Sequence, residues 1–345
     1  MKKLFYYFIK YTIRFTTNCY FRKVKIYGLK NIPKDGGVLF SPNHQGAFLD
    51  PLLIGCNINR PVTSLTRSDV FGGPLQWFMD ALKMLPVYRI RNGYANLKKN
   101  EAIFNLCKSL LSSNQWIIMF SEAAHHDEFY LQPLSKGSSR LAYEAQENSE
   151  NPVYIVPVGI NYGHLRNPFC DLHLVFGEAI LIQSLIETTA DKPERINTIK
   201  SRLRTEMEKC MWLPEKDEYY EDRKKLIHSE NTKKSFHELK KGIQDKSLRP
   251  KKALKKQKWP VLLIGLLSIP NFPPLIVIKK ILGLFKDVVF YSSIKMSTGL
   301  ILFIFWWGGI FLLVGILWGW KIGLSVTIVC VVLLYIRQIL SIKYL

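Results

Sequence analysis

Val38-Leu39-Phe40-Ser41-Pro42-Asn43-His44-Gln45-Gly46-Ala47-Phe48-Leu49-Asp50-Pro51-Leu52-Leu53-Ile54 holds the pattern from which the architecture is read. Val38, Leu39 and Phe40 form a short apolar run of the kind that fills a buried strand, and the run ends in polar residues. Asp50 followed by Pro51 is a helix start, an N-capping side chain and then proline at the first helical position. A strand that stops at Asn43-His44 with a helix close behind leaves polar side chains at the strand's carboxyl end, where open α/β sheets bind ligands.

The flanking sequence repeats this unit. Upstream, Lys23 to Ile26 alternates as a short strand, and Pro33-Lys34-Asp35-Gly36-Gly37 is a turn. Downstream, Trp116 to Phe120 and Val153 to Val158 read as further strands, with helical stretches around Leu75 to Leu82 and Ala102 to Leu111. Strands alternating with helices predict an α/β fold, a sheet flanked by helices, over residues 23–222.

Three constellations sit where that fold puts strand ends. In the first, a carboxylate at Asp50 fixes the tautomer of His44, so that the other ring nitrogen accepts a proton; the plainer alternative is that Asp50 only caps its helix. In the second, Pro86-Val87-Tyr88-Arg89-Ile90-Arg91 puts Arg89 and Arg91 on one face if extended, and the guanidinium fork suits phosphate; taken alone, two ordinary surface arginines are the plainer reading. The third is Phe120-Ser121-Glu122-Ala123-Ala124-His125-His126-Asp127, whose carboxylate and imidazoles could relay protons or orient a hydroxyl. Pro133-Leu134-Ser135-Lys136-Gly137 then brings a cation to a helix start. No metal site is expected, since the six cysteines are scattered and the histidines lack ligand spacing. No Gly-x-Ser-x-Gly elbow occurs either.

Charge and hydropathy place the domain. The 345 residues carry a formal net charge of +21, and Arg223 to Lys258 alone holds fourteen Lys and Arg against three acidic residues. This polar stretch, read as a basic linker over 223–258, precedes an apolar tail, 259–345. A polybasic run beside a membrane segment suits anionic headgroups, and it lacks the interleaved aromatics of a nucleic-acid binder, so no nucleic acid is expected. Within the tail, Gly299 to Trp320 and Ile322 to Leu340 read as a membrane hairpin turning at Lys321. Trp259 to Ile278 is interrupted by Pro270-Asn271-Phe272-Pro273-Pro274 and reads as a re-entrant or interfacial helix pair. Residues 1–22 interleave Lys10 and Arg14 with aromatics, the pattern of an amphipathic helix in the membrane interface or of a buried core helix. Basic residues at both ends of the hairpin predict a catalytic domain on the cytosolic face.

The order Asn-His...Asp-Pro, Val-Tyr-Arg, Phe-x-Glu, Pro-Leu-x-Lys-Gly and Val-Pro-Val-Gly, from Val38 to Tyr162, resembles the four-block pattern of the glycerolipid acyltransferase family, marked by His-x4-Asp and Phe-Pro-Glu-Gly. Here five residues separate His44 from Asp50, and Ser121 and Ala123 replace the Pro and Gly. The longer spacing and the following His-Asp look like the branch acylating glycerol 3-phosphate or dihydroxyacetone phosphate. The resemblance implies an O-acyltransferase of phospholipid biosynthesis, moving a fatty acyl group from acyl-CoA or acyl carrier protein to a glycerol phosphate or lysophosphatidate, with no bound cofactor and with membrane lipids as partners. It further implies His44 as general base and Asp50 as its orienting partner. Arg89 and Arg91 would bind the acceptor phosphate, Glu122 would position the acceptor or buttress the site, and Lys136 would be a secondary phosphate contact. The alternative left by Ser121 and Ala123 is a catalytically silent relative that binds lipid surfaces.

Overall fold

The structure, a computed structural model, describes residues 2–68, 71, 73, 76–88, 95–122, 124–187, 191–250 and 258–344. A helix, α1 (Lys2–Tyr20), leads into β1 (Lys23–Tyr27), β2 (Gly37–Pro42), α2 (Leu49–Asn57), β3 (Val62–Arg67), α3 (Gln76–Ala81), β4 (Met84–Val87), α4 (Ala95–Ser112) and β5 (Trp116–Ile118). Then follow α5 (Gly137–Glu147), β6 (Val153–Tyr162), β7 (Asp171–Phe176), β8 (Ile180–Leu181), α6 (Ile182–Ile186) and α7 (Lys192–Lys209). The strands form one mixed sheet in the order β1-β7-β6-β2-β5-β3-β4, with β8 paired to β6. β6, β2, β5, β3 and β4 are mutually parallel, while β7 and β8 run antiparallel to β6.

β2 lies in the middle of the sheet and is buried along its whole length. Its period-two alternation sends Val38 and Phe40 to one face, against Leu49, Leu53 and Ile54 of α2, and Leu39 to the other, against Leu111, Leu141 and Leu203. The parallel strands β2, β3, β4 and β5 all end on one edge, which gathers the residues that follow them.

Residues 223–250, expected as a linker, are folded. After α8 (Tyr220–Lys224), Ser235 and Glu238 form a capping box that opens α9 (Phe236–Gln244). Phe236, Leu239 and Ile243, at helical spacing, pack with Leu226 on Val175, Trp212 and Leu213 beside the β7 end of the sheet. Lys25 Nζ donates to the carbonyls of Thr232, Lys233 and Lys234 at 3.1, 2.6 and 2.7 Å. The lysine-rich composition hides this short apolar stripe, because its charges occupy the other face of the helix. Residues 251–257, the rest of the expected linker, lie outside the described residues.

The tail comprises α10 (Lys258–Ser268), α11 (Phe272–Gly283), α12 (Tyr291–Trp318) and α13 (Trp320–Tyr344). The stretches 259–283, 288–318 and 320–344 are long and apolar enough to cross a membrane. The hairpin of α12 and α13 turns at Gly319, whose φ of +97° favours glycine, two residues before the expected Lys321. α10 lies antiparallel to α13: the Trp259 and Tyr344 rings are 5.5 Å apart, and Asn271 Nδ2 donates to the Cys330 carbonyl at 2.8 Å. Trp307 Nε1 donates to Asn271 Oδ1 at 2.9 Å, so Asn271 sits midway along the hairpin. The 28 residues of α12 extend about 42 Å. A chain that ran straight on past Asn271 could not return over that length in the few residues before Asp287, which contacts His125 of the sheet domain. α11 therefore doubles back, and α10 and α11 form a bent pair that enters and leaves on the side of the sheet domain. The Pro273-Pro274 start of α11 suits the bend, since proline is tolerated in the first turn of a helix.

α1 has one face packed on the domain and one face exposed. Tyr6, Thr16 and Thr17 are buried, and Lys10 Nζ donates to the Ile58 carbonyl, whereas Leu4, Phe8, Tyr11 and Phe15 form an exposed apolar stripe.

Leu239→Ala should lower stability by about 2–5 kcal/mol, read as a drop in the thermal midpoint, because a buried leucine leaves a cavity; a free linker would show no change. His173 is buried against Thr232, and burial, helped by nearby Lys25, lowers its pKa to about 4. The unfolded chain, with an ordinary value near 6.5, binds a proton that the folded chain refuses. Stability should therefore fall as pH drops from about 6.5 to about 4, and His173→Gln should flatten that slope in melts across the range.

Candidate active site

β2 delivers Asn43 and His44 to the carboxyl edge of the sheet. Asn43 is buried and bridges to β6: its Nδ2 donates to the Ile160 carbonyl at 3.1 Å, and Ile160 N donates to its Oδ1 at 2.7 Å. This two-way bond fixes the chain one residue before His44. The loop then turns through Ala47 at a left-handed φ of +48°, and the five-residue spacing closes on Asp50 in the first turn of α2.

Asp50 is fully buried, and four donors converge on it. His44 Nδ1 stands 2.8 Å from Oδ2, which also accepts from the backbone N–H groups of Gln45 at 2.9 Å and Gly46 at 2.8 Å. Tyr162 donates its hydroxyl to Oδ1 at 2.6 Å. Burial and the nearby Asp50 charge push the Tyr162 phenol well above its ordinary value, so it remains a donor at working pH. A Cβ at Gly46 would fall 2.4 Å from the Tyr162 oxygen and 2.6 Å from Asp50 Oδ1, so only glycine fits there without displacement. A carboxylate facing Nδ1 holds the imidazole proton on that nitrogen and leaves Nε2 as the acceptor. The ring stacks on Phe120, with centroids 3.9 Å apart, and its side chain is 16% exposed, open enough to meet a substrate.

Glu122 acts on the backbone of this loop. Its buried carboxylate accepts from His44 N at 2.6 Å and Gln132 N at 2.8 Å, and pairs with His126 Nε2 at 3.2 Å. Those bonds brace the backbone beneath His44. Lys136 is exposed just before α5, and among the described residues it makes no hydrogen bond or ion pair with His44, Asp50 or Glu122. Arg89, Arg91 and Ala123 lie outside the described residues. The strand before the two arginines, β4, ends on the same sheet edge as β2, and Asn100 holds Tyr88 there through both of its backbone polar groups, at 2.8 and 2.6 Å.

Ser121, standing where the family pattern has proline, is fully buried, and its hydroxyl lies 2.5 Å from both Ser41 Oγ and Ser138 Oγ. Sequence reasoning missed this serine chain as well as Tyr162 and the Phe120 stack. The period-two pattern of β6 could have placed Tyr162 near a strand end, but no local pattern pairs it with Asp50. β5 ends at Ile118, two residues earlier than expected, which frees Phe120 to lie against His44.

Residues 23–161 match the family model described as Acyltransferase. No curated protein matches the chain. Among solved structures, the chain is similar to the 1-acyl-sn-glycerophosphate (LPA) acyltransferase PlsC from Thermotoga maritima, at 19% identity and a TM-score of 0.45, covering 60% of this chain and 80% of that one.

Ser121→Pro would leave the buried Ser41 and Ser138 hydroxyls short of a partner, at about 1–3 kcal/mol for each unsatisfied group. The variant should melt at a lower temperature than the wild type and gain no turnover.

Proposed function

We propose that the protein, whose residues 23–161 match the family model described as Acyltransferase, transfers a fatty acyl group from an acyl thioester, acyl-CoA or acyl carrier protein, to a hydroxyl of a glycerol phosphate or lysophosphatidate in phospholipid biosynthesis. The observation that carries this reading is the His44–Asp50 pair at 2.8 Å, with a buried carboxylate behind the ring and an open nitrogen in front.

The chemistry runs without a covalent enzyme intermediate. His44 Nε2 takes the acceptor hydroxyl proton as that oxygen attacks the thioester carbonyl. The tetrahedral intermediate collapses, the C–S bond breaks, and the imidazolium returns the proton to the departing thiolate. Asp50 balances the transient charge on the ring, and the two N–H donors with Tyr162 keep that carboxylate in place. Arg89 and Arg91 are proposed to hold the acceptor phosphate, a role suited to a guanidinium fork. Lys136, exposed near the same edge, is a weaker candidate for that contact.

The membrane segments support a site at the lipid surface. Lys279, Lys280, Lys286 and Lys295 stand toward the sheet-domain end of the tail, as do Arg337 and Lys343 on the returning helix. The positive-inside bias then puts the sheet domain in the cytosol. The exposed stripe of Leu4, Phe8, Tyr11 and Phe15 on α1 is proposed to rest in the interface.

In membranes supplied with acyl-CoA and either glycerol 3-phosphate or lysophosphatidate, the wild type should release thiol in step with ester formation. His44→Ala should lose about 10²-fold to 10⁴-fold in turnover. Equal rates in the two proteins would remove the base, and lipid binding by a wild type with no transfer to any acceptor would leave the silent relative.

A further inference from the structure

The C-terminal tail does more than adjoin the sheet domain, because residues 287–295 grip both loops that build the site. Ser293 in the first turn of α12 is buried against the His44 loop: its hydroxyl donates to the Gly46 carbonyl at 2.6 Å and accepts from Leu49 N at 3.1 Å. One hydroxyl thus ties together the two ends of the turn that carries the Gly46 N–H donor to Asp50. Asp287, just before α12, reaches the other loop, with Oδ2 2.9 Å from His125 Nε2. Its Oδ1 accepts from Val289 N at 3.0 Å, so the carboxylate is fixed by its own turn before it meets the imidazole. Burial works to raise the Asp287 pKa, but the bonds from His125 and Val289 N, with the charge of Arg67, hold it below the ordinary carboxylate value.

The His125 ring stands edge-on to His44, with centroids 5.6 Å apart and planes at 80°. Phe290 packs on the same His125 ring at 5.1 Å and on Phe48 at 5.9 Å, so the tail fills the space between the two loops. Farther along α12, Lys295 Nζ donates to the Arg166 carbonyl at 2.7 Å, and Arg166 pairs with Asp127 in the His125 loop. A simple anchor needs none of these bonds, since an apolar helix of this length holds a membrane on hydrophobicity alone.

We propose that the tail is a structural wall of the reaction site, in which Asp287 and Ser293 are positioning residues that hold His125 and the Gly46–Leu49 turn against His44. The proposal rests on the acyl-transfer reading above. Neither residue touches the reacting atoms. Asp287 acts through His125, whose ring orientation it sets, and Ser293 acts through the backbone that feeds the Asp50 cradle.

The test uses the full chain in phospholipid membranes with acyl-CoA and the acceptor that the wild type uses. Asp287→Asn and Ser293→Ala should each cut kcat by about 10-fold to 100-fold, the range expected of a misplaced reacting group. KM for acyl-CoA and membrane insertion should stay at wild-type values, and Asp287→Glu should recover most of the loss. Lys321→Ala, at the far end of the hairpin, should be indistinguishable from wild type. An active wild type with unchanged kcat in both Asp287→Asn and Ser293→Ala overturns the proposal and leaves acyl transfer standing. A loss of kcat that follows a loss of insertion, or one that Asp287→Glu leaves unrecovered, also overturns it, since the tail would then be support alone. A wild type inactive with every acceptor overturns the acyl-transfer reading itself, and this proposal with it.

Discussion

The buried carboxylate of Asp50 is the constraint around which the rest is arranged. An ionised group without solvent must be met by donors, or the cost of burying it exceeds the stability of the domain. Here the donors come from three places: the imidazole of His44, the backbone of the loop joining β2 to α2, and the hydroxyl of Tyr162 at the end of β6. β2 and β6 must therefore be neighbours, and they pair directly in parallel register. Gly46 must lack a side chain, and Ala47 must turn left-handed. The same bonds that make burial of the acid tolerable orient the base, so the stability of this corner and its chemistry rest on one set of contacts.

The neighbouring loop follows a second version of that logic. Glu122 holds the His44 backbone while Asp50 holds its side chain, so two buried acids grip one residue from opposite ends. The Ser41, Ser121 and Ser138 hydroxyls join this loop to β2 and to α5. A proline at 121 would fix the turn through its ring; a serine fixes it through hydrogen bonds to partners that are themselves serines. The replacement is consistent with a site that keeps its shape by other means, and it weakens the case for a damaged one.

Much of the sheet was legible because its central strand and helix start lie within a few residues of each other. The apolar run of Val38 to Phe40, the helix near Asp50-Pro51 and the strands at Trp116 and Val153 are local signals, and local signals survive in a single sequence, although the helix begins at Leu49, so Asp50 lies in its first turn and does not cap it. The pairing of His44 with Asp50 was legible for the same reason. What was not legible is held by long separations in the chain. Tyr162 meets Asp50 across 112 residues, Ser293 meets Gly46 across 247, and Asp287 meets His125 across 162. The stretch 223–250 misled for a different reason: its charge outweighs three apolar residues at 236, 239 and 243, and only the spacing of those three reveals a packed helix. Arg89 and Arg91 remain a reading of the sequence.

The bend at Asn271 gives the tail its consequence for the site. A straight continuation past Asn271 would have put Asp287 and the start of α12 far from the sheet domain. Because α10 and α11 return together, the start of α12 comes down beside the β2–α2 loop, and its first polar residues face that loop instead of lipid. Asn271 makes the return possible by satisfying partners on both sides, donating to the Cys330 carbonyl of α13 and accepting from Trp307 of α12. Buried polar bonds of this kind stay intact in an apolar medium because no water competes for them. The geometry deep in the tail thereby sets where Ser293 and Asp287 stand beside the loop that holds His44.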